Sequence, residues 1–184
     1  MTSIYPGISI VVPTFREAAN LPNLVRCISD MARRNELDVE LLIMDDDSRD
    51  GTEETIEEMK KPWVQLVTRT GKRGLSAAVL EGFTVAKHNI WVVMDADLSH
   101  PPEAIPEMLD ALADGNEMAI GSRCAPGGSI AEDWSLFRWL NSRFATLMAR
   151  PLTRICGPMS GFFALSRDVF ARGNQSNPLV TKSG

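Results

Sequence analysis

Short uninterrupted apolar runs alternate along the chain with longer stretches in which apolar residues recur every three or four positions. Residues 8–12 form a β-branched run stopped by Pro13, and residues 40–44 form a second that ends in acid. Residues 64–68, 90–94 and, more weakly, 118–120 continue the series. Between them, residues 18–34, 51–60, 75–87 and 102–112 carry the helical period, and residues 134–150 predict a further helix. Continuous apolar strands separated by helices predict an α/β domain: a mostly parallel sheet flanked by helices on both faces, Rossmann-like and doubly wound. No repeat or linker interrupts the pattern, so residues 1–184 read as a single domain.

An open parallel sheet binds ligands at the carboxyl ends of its strands. The chemically unusual residues of this chain fall there: 13–17, 45–50, 69–74, 95–100 and 121–123. Asp95-Ala96-Asp97 follows an apolar strand and pairs two carboxylates. Such a pair suits a hard divalent cation that also takes phosphate oxygens, although a solvated turn can carry the same two acids. Asp45-Asp46-Asp47 ends another strand, and three adjacent carboxylates need an offsetting cation, helix terminus or ligand donor. Capping of the next helix accounts for Asp50, Gly51 and Thr52 but not for those three acids. Thr70-Gly71-Lys72-Arg73-Gly74 sets glycines and cations before a helix, a place where backbone N–H groups and Lys72 and Arg73 can hold a diphosphate; a plain basic loop is the alternative. Arg123 closes the fifth run, and Arg138 and Ser142 share a face of the 134–150 helix. The apolar stripe of that helix serves core packing or, with Arg138, Arg143 and Arg150, a bilayer surface.

Composition narrows the field. The 184 residues are 44% hydrophobic and 23% charged with net charge -5, which suits a globular domain and argues against a nucleic-acid binder. Three cysteines, Cys27, Cys124 and Cys156, show no zinc spacing and point to a reducing compartment. There is no basic segment followed by an apolar core at the N-terminus, and no apolar run near the roughly 20 residues of a membrane span. The expectation is a soluble or peripheral domain. The polar stretch from Gly173 to Gly184 breaks off without a closing element, as a C-terminally truncated fragment would.

Taken in order, these segments resemble the dolichol-phosphate (polyprenol-phosphate) mannosyltransferases, within the large inverting family of nucleotide-sugar glycosyltransferases. The matching stretches are Val11-Val12-Pro13-Thr14-Phe15-Arg16-Glu17, Met44 through Thr52, Gly71-Lys72-Arg73-Gly74-Leu75, and Met94-Asp95-Ala96-Asp97 through Glu103. Gly121-Ser122-Arg123, Arg138 with Ser142, and Pro158 through Phe163 complete a set spanning residues 8 to 166. The resemblance implies a GT-A nucleotide-binding domain with Mg²⁺ or Mn²⁺ at Asp95 and Asp97. It places Pro13, Phe15, Glu17 and Asp46 around the base and ribose, with Asp95, Lys72 and Arg73 also on the nucleotide and Asp45 in support. Arg123, Arg138 and Ser142 would hold the acceptor phosphate, and Asp97, Arg123 and Arg138 would carry catalysis.

The implied reaction moves mannose from GDP-mannose to dolichyl or polyprenyl phosphate with inversion, by an enzyme peripheral on the cytoplasmic face of a membrane. Two departures stand out. Phe15-Arg16 occupies the place of the family's usual Tyr-Asn, and Gly157 that of an Asp. UDP-glucose as donor, a saccharide or protein hydroxyl as acceptor, and a non-catalytic nucleotide-binding module are the alternatives.

Overall fold

The computed structural model describes residues 6–121 and 161–176. Six strands form one sheet: β1 (Ile8–Thr14), β2 (Val39–Asp45), β3 (Val64–Thr68), β4 (Ile90–Val93), β5 (Met118–Ile120) and β6 (Phe163–Ser166). The helices are α1 (Leu21–Arg34), α2 (Thr52–Met59), α3 (Leu75–Val85), α4 (Ile105–Ala113) and α5 (Arg167–Ser176), with a 3-10 turn at Pro102–Ala104. The strand order is β3-β2-β1-β4-β6-β5. The pairings β1–β2, β2–β3 and β1–β4 are parallel, whereas β6 runs antiparallel to both β4 and β5.

Each strand face meets its own layer. Ile8, Ile10 and Val12 of β1 join Leu21, Leu24 and Ile28 of α1 and Ile105 and Leu109 of α4. Val11, Leu42 and Met44 point the other way, to Ala78, Val79 and Phe83 of α3. That two-sided burial is why the central strands read as unbroken apolar runs and not as alternating ones. In α1 the buried residues Leu21, Leu24, Val25, Ile28 and Met31 form a single stripe, and Arg33 and Arg34 close its last turn, where cations favour the helix dipole. Helix α3 crosses β1 so closely that a Cβ on Gly82 would lie 2.5 Å from Val11 Cγ1.

The helix starts differ slightly from expectation. Helix α1 begins at Leu21, because residues 18–20 are taken by a turn in which Asn20 N–H donates to Glu17 O at 2.9 Å. Strand β6 was not expected at all. Its four residues, Phe-Ala-Leu-Ser, are too few to show a period, and its place between β4 and β5 comes from pairing alone.

The topology locates the crevice. From β1 the chain winds outward through β2 and β3, then returns to place β4 on the other side of β1. The switch point therefore lies at the carboxyl ends of β1 and β4, with the loop after β2 adjacent.

Candidate functional site

Asp45, the last residue of β2, is buried and lies in register with Thr14 of β1. Its carboxylate accepts from Thr14 Oγ1 at 3.1 Å, Ser48 N–H at 2.8 Å and the Ser48 hydroxyl. Ser48 Oγ in turn accepts the Arg16 N–H at 2.8 Å, so one carboxylate ties the loop after β1 to the loop after β2. Asp50 adds a second tie, accepting from Ala18 N–H at 3.1 Å and from the Thr52 hydroxyl at 2.7 Å. Burial opposes ionisation of Asp50, but these donors outweigh it and hold the carboxyl below its ordinary value.

Asp46 is also buried. It pairs with the guanidinium of Arg69 and accepts the Gly74 N–H at 2.8 Å. Asp47 is half-buried and forms a fork with Arg49, at 3.1 Å from Nε and 2.9 Å from Nη2. The hydrogen bond from Arg49 holds the Asp47 carboxyl below its ordinary value; partial desolvation opposes this, and the charges of Arg49 and Arg73 add to it. The three-acid repulsion is thus offset residue by residue: hydroxyls and an N–H for Asp45, Arg69 for Asp46, Arg49 and Arg73 for Asp47.

These loops border a cleft of about 440 Å³ lined by Phe15, Arg16, Asp47, Ser48, Arg49, Asp50 and Arg73. Phe15 is 41% exposed, and the guanidiniums of Arg16 and Arg73 each lie 5.3 Å from its ring centroid. Both are within cation–π range. Among the described residues, left-handed backbone outside glycine occurs at Arg16, Asp47, Arg49 and Leu98 in these crevice loops, and otherwise only at Glu36 and Lys60. Strained backbone concentrated in this way accompanies functional sites.

The acids after β4 sit across the switch point. Asp97 is exposed, and its Oδ1 accepts the Ser99 N–H at 2.8 Å. Asp95 is half-buried and backed by Gly161 just before β6, where an added Cβ would lie 3.2 Å from Oδ2 and 3.4 Å from Oδ1. Phe162 is buried, and its ring stacks on His100 with centroids 5.3 Å apart. Phe162 O also accepts the Gly121 N–H at 2.9 Å. No cluster of three metal-ligating side chains occurs among the described residues. Two carboxylates, one of them in a cradle that only a glycine leaves open, suit a hard cation completed by substrate phosphates better than one caged by protein alone.

The structure brings some of the expected residues together and separates others. Phe15 and Arg73 share the cleft. Pro13 stays within β1, in register with Met44, and Glu17 accepts from the Asn20 amide at 2.5 Å. Lys72 is exposed in the basic loop, and its carbonyl accepts from Arg69 at 2.9 Å. Asp46 does not line the cleft; Asp47 does. Arg123, Arg138, Ser142, Gly157 and the 134–150 helix lie outside the described residues. Arg69, Ser48 and Arg49 fall within the strand-end segments read from sequence, but no individual role was legible for them there. An Arg–Asp contact over 23 positions leaves no periodic trace.

The profile of glycosyl transferase family 2 matches residues 9–173. The chain belongs to that family. It is 42% identical to the dolichol-phosphate mannosyltransferase of Mycosarcoma maydis over 175 residues, covering 92% of this chain and 60% of that protein. It is 41% identical to the dolichol-phosphate mannosyltransferase of Pyrococcus furiosus over 180 residues, covering 95% of this chain and 50% of that one. The chain thus spans between half and three-fifths of the length of these relatives. In three dimensions it resembles a mannosyltransferase of Pyrobaculum calidifontis solved with GDP-mannose and Mn²⁺. The TM-score is 0.63 at 21% identity, over 92% of this chain and 47% of that one, a likeness of fold. The mostly parallel sheet flanked by helices is therefore the GT-A fold.

Proposed function

We propose that this chain is the catalytic domain of an inverting transferase that moves mannose from GDP-mannose to a dolichyl or polyprenyl phosphate, with Mg²⁺ or Mn²⁺ as cofactor. The observation that carries the reading is the identity of 41–42% to two dolichol-phosphate mannosyltransferases over more than nine-tenths of this chain. The crevice supports it, with an exposed aromatic and arginines on one side of the switch point and two carboxylates on the other.

In this reading Phe15 and the loop from Asp47 to Asp50 receive the nucleoside, with Asp46 behind them holding Arg69 and Gly74, and Lys72 and Arg73 hold the diphosphate beside the N-terminus of α3. Asp95 and Asp97 hold the divalent cation, which when bound neutralises charge on the departing diphosphate. Arg123, Arg138 and Ser142 hold the acceptor phosphate. An acceptor oxygen attacks the anomeric carbon as the bond from that carbon to the diphosphate oxygen breaks, so an α-linked donor gives a β-linked product. The acceptor phosphate is already ionised near neutral pH, so no placed base is required, unlike for a hydroxyl acceptor. The demand falls instead on orientation by arginines and on stabilising the leaving group.

Among the described residues no helix is long and apolar enough to cross a membrane. A lipid phosphate acceptor nevertheless requires work at a bilayer surface, and a donor such as GDP-mannose puts that surface on the cytoplasmic side. The test is transfer of labelled mannose from GDP-mannose to dolichyl phosphate with and without Mn²⁺, for the wild type and Asp97→Ala. Metal-dependent lipid product that disappears in the variant is expected. Lipid product formed equally well by Asp97→Ala would overturn the assignment.

A further inference from the structure

Arg69 lies one residue past β3 and is 5% exposed, yet it is bonded in four directions. Its N–H donates to Asp45 O at 2.7 Å, extending the β2–β3 pairing. Its guanidinium contacts the Asp46 carboxylate, donates from Nε to Glu81 Oε2 of α3 at 2.8 Å, and donates from Nη2 to Lys72 O at 2.9 Å. The free oxygen of Asp46 accepts the Gly74 N–H at 2.8 Å, at the start of α3, where Gly74 holds φ at 128°. One planar cation therefore joins the acidic loop, the 70–74 loop at Lys72 and the body of α3, and its partner Asp46 fixes the same loop at Gly74.

Between those fixed points stands Arg73. Its guanidinium lies over Phe15, 3.7 Å from Asp47 Oδ2 and 3.5 Å from Asp47 O. These contacts are long and hold only the tip of a side chain that is 58% exposed. Its delivery to the cleft depends on where residues 72 and 74 are pinned.

We propose that Arg69 is a positioning residue for the donor: it touches no ligand, but through Asp46, Lys72 O and Gly74 it sets where Arg73 and the α3 N-terminus meet the diphosphate. This rests on the donor reading above. Lysine cannot replace it, because an ammonium is a point charge without the rigid fork that serves Asp46, Glu81 and Lys72 O at once. A plain buried ion pair would matter to folding alone. A positioning role makes the effect appear in donor binding of a folded variant.

The test compares wild type, Arg69→Lys and Glu81→Gln by calorimetric titration with GDP in Mn²⁺, steady-state transfer, and amide hydrogen exchange. Arg69→Lys keeps the buried charge and is expected to fold cooperatively. With the loop misplaced, GDP binding is expected to weaken by about 10- to 100-fold, equivalent to about 1.4–2.8 kcal/mol. The donor KM should rise in parallel, with kcat at saturating donor changed less than about threefold. Glu81→Gln retains the Asp46 and Lys72 contacts and should stay within about twofold of wild type. A folded Arg69→Lys that binds GDP as wild type does, or that loses kcat at unchanged KM, overturns the proposal. So does Glu81→Gln if it matches the loss. Exchange decides the matter without any nucleotide: in the wild type the Gly74 amide, although in an exposed loop, should be protected, and exchange at the free rate would refute the clamp. Failure of the wild type to bind GDP would instead refute the donor reading and leave the exchange measurement to judge Arg69.

Discussion

Asp45→Ala is the substitution whose cost can be worked most fully from the structure. The carboxylate is 3% exposed and accepts three bonds, from Thr14 Oγ1, Ser48 N–H and the Ser48 hydroxyl. The two hydroxyls can turn toward other acceptors once it is gone. The Ser48 N–H cannot, and a buried donor left without an acceptor costs about 1–3 kcal/mol. Adding the lost charge-assisted bonds gives a destabilisation of roughly 3–5 kcal/mol. For a domain of this size that corresponds to a fall in Tm of about 6–20 °C. Thermal melts followed by circular dichroism, with urea titrations at one temperature, measure it. Asp45→Asn, which can keep an acceptor for the Ser48 N–H, should lose roughly half as much, and Thr14→Val about 0.5–1.5 kcal/mol. Because Ser48 Oγ also accepts the Arg16 N–H, the alanine variant should lose protection from hydrogen exchange at Arg16 as well. An Asp45→Ala protein within about 0.5 kcal/mol of the parent would show that the carboxylate does not hold these loops together.

Other substitutions test separate links. Gly161→Ala brings a Cβ to 3.2 Å from Asp95 Oδ2 and should raise the Mn²⁺ concentration needed for half-maximal transfer by about tenfold, read from a metal titration of activity. Gly82→Ala forces α3 off β1, where its Cβ would lie 2.5 Å from Val11 Cγ1, and should cost about 1–3 kcal/mol in urea denaturation. The Asp50 carboxyl is held below its ordinary value in the folded state, so its contribution to stability is present above the unfolded carboxyl range and is lost as pH falls through the depressed folded value. Wild type should therefore exceed Asp50→Asn in Tm at neutral pH, and the difference should close on acidification below about pH 4. A difference that stays constant to low pH would show that the charge is not what the Ala18 and Thr52 donors recognise.

The central sheet was legible because burial on both faces writes itself into a sequence as apolar runs, as in β1 and β2, whereas β3 at the sheet edge is only partly buried and carries the exposed Gln65. That residues 45–50, 69–74 and 95–100 gather at one end followed from the parallel pairing of β1, β2, β3 and β4, which puts the exits of β2, β3 and β4 on one edge. Partner choice was less legible. Four residues of β6 pair antiparallel between β4 and β5, and nothing in Phe-Ala-Leu-Ser states a neighbour or a direction. The same holds within the site. Three consecutive acids look equivalent in sequence, yet Asp45 binds hydroxyls, Asp46 binds Arg69 and only Asp47 faces the cleft. Successive residues leaving a strand point in different directions, and which one meets a cation depends on a loop 23 positions away.

The most direct test of the central claim, a donor crevice divided between the cleft at Phe15 and Arg73 and the acids Asp95 and Asp97, is calorimetric titration with GDP-mannose. It would be run with Mn²⁺ and with chelator, for wild type and Asp97→Ala, with UDP-glucose as the competing donor. The expected result is saturable GDP-mannose binding that requires Mn²⁺, that is lost in Asp97→Ala while the fold is kept, and that UDP-glucose displaces poorly. Binding of equal strength in chelator and in Asp97→Ala, or tighter binding of UDP-glucose, would contradict it.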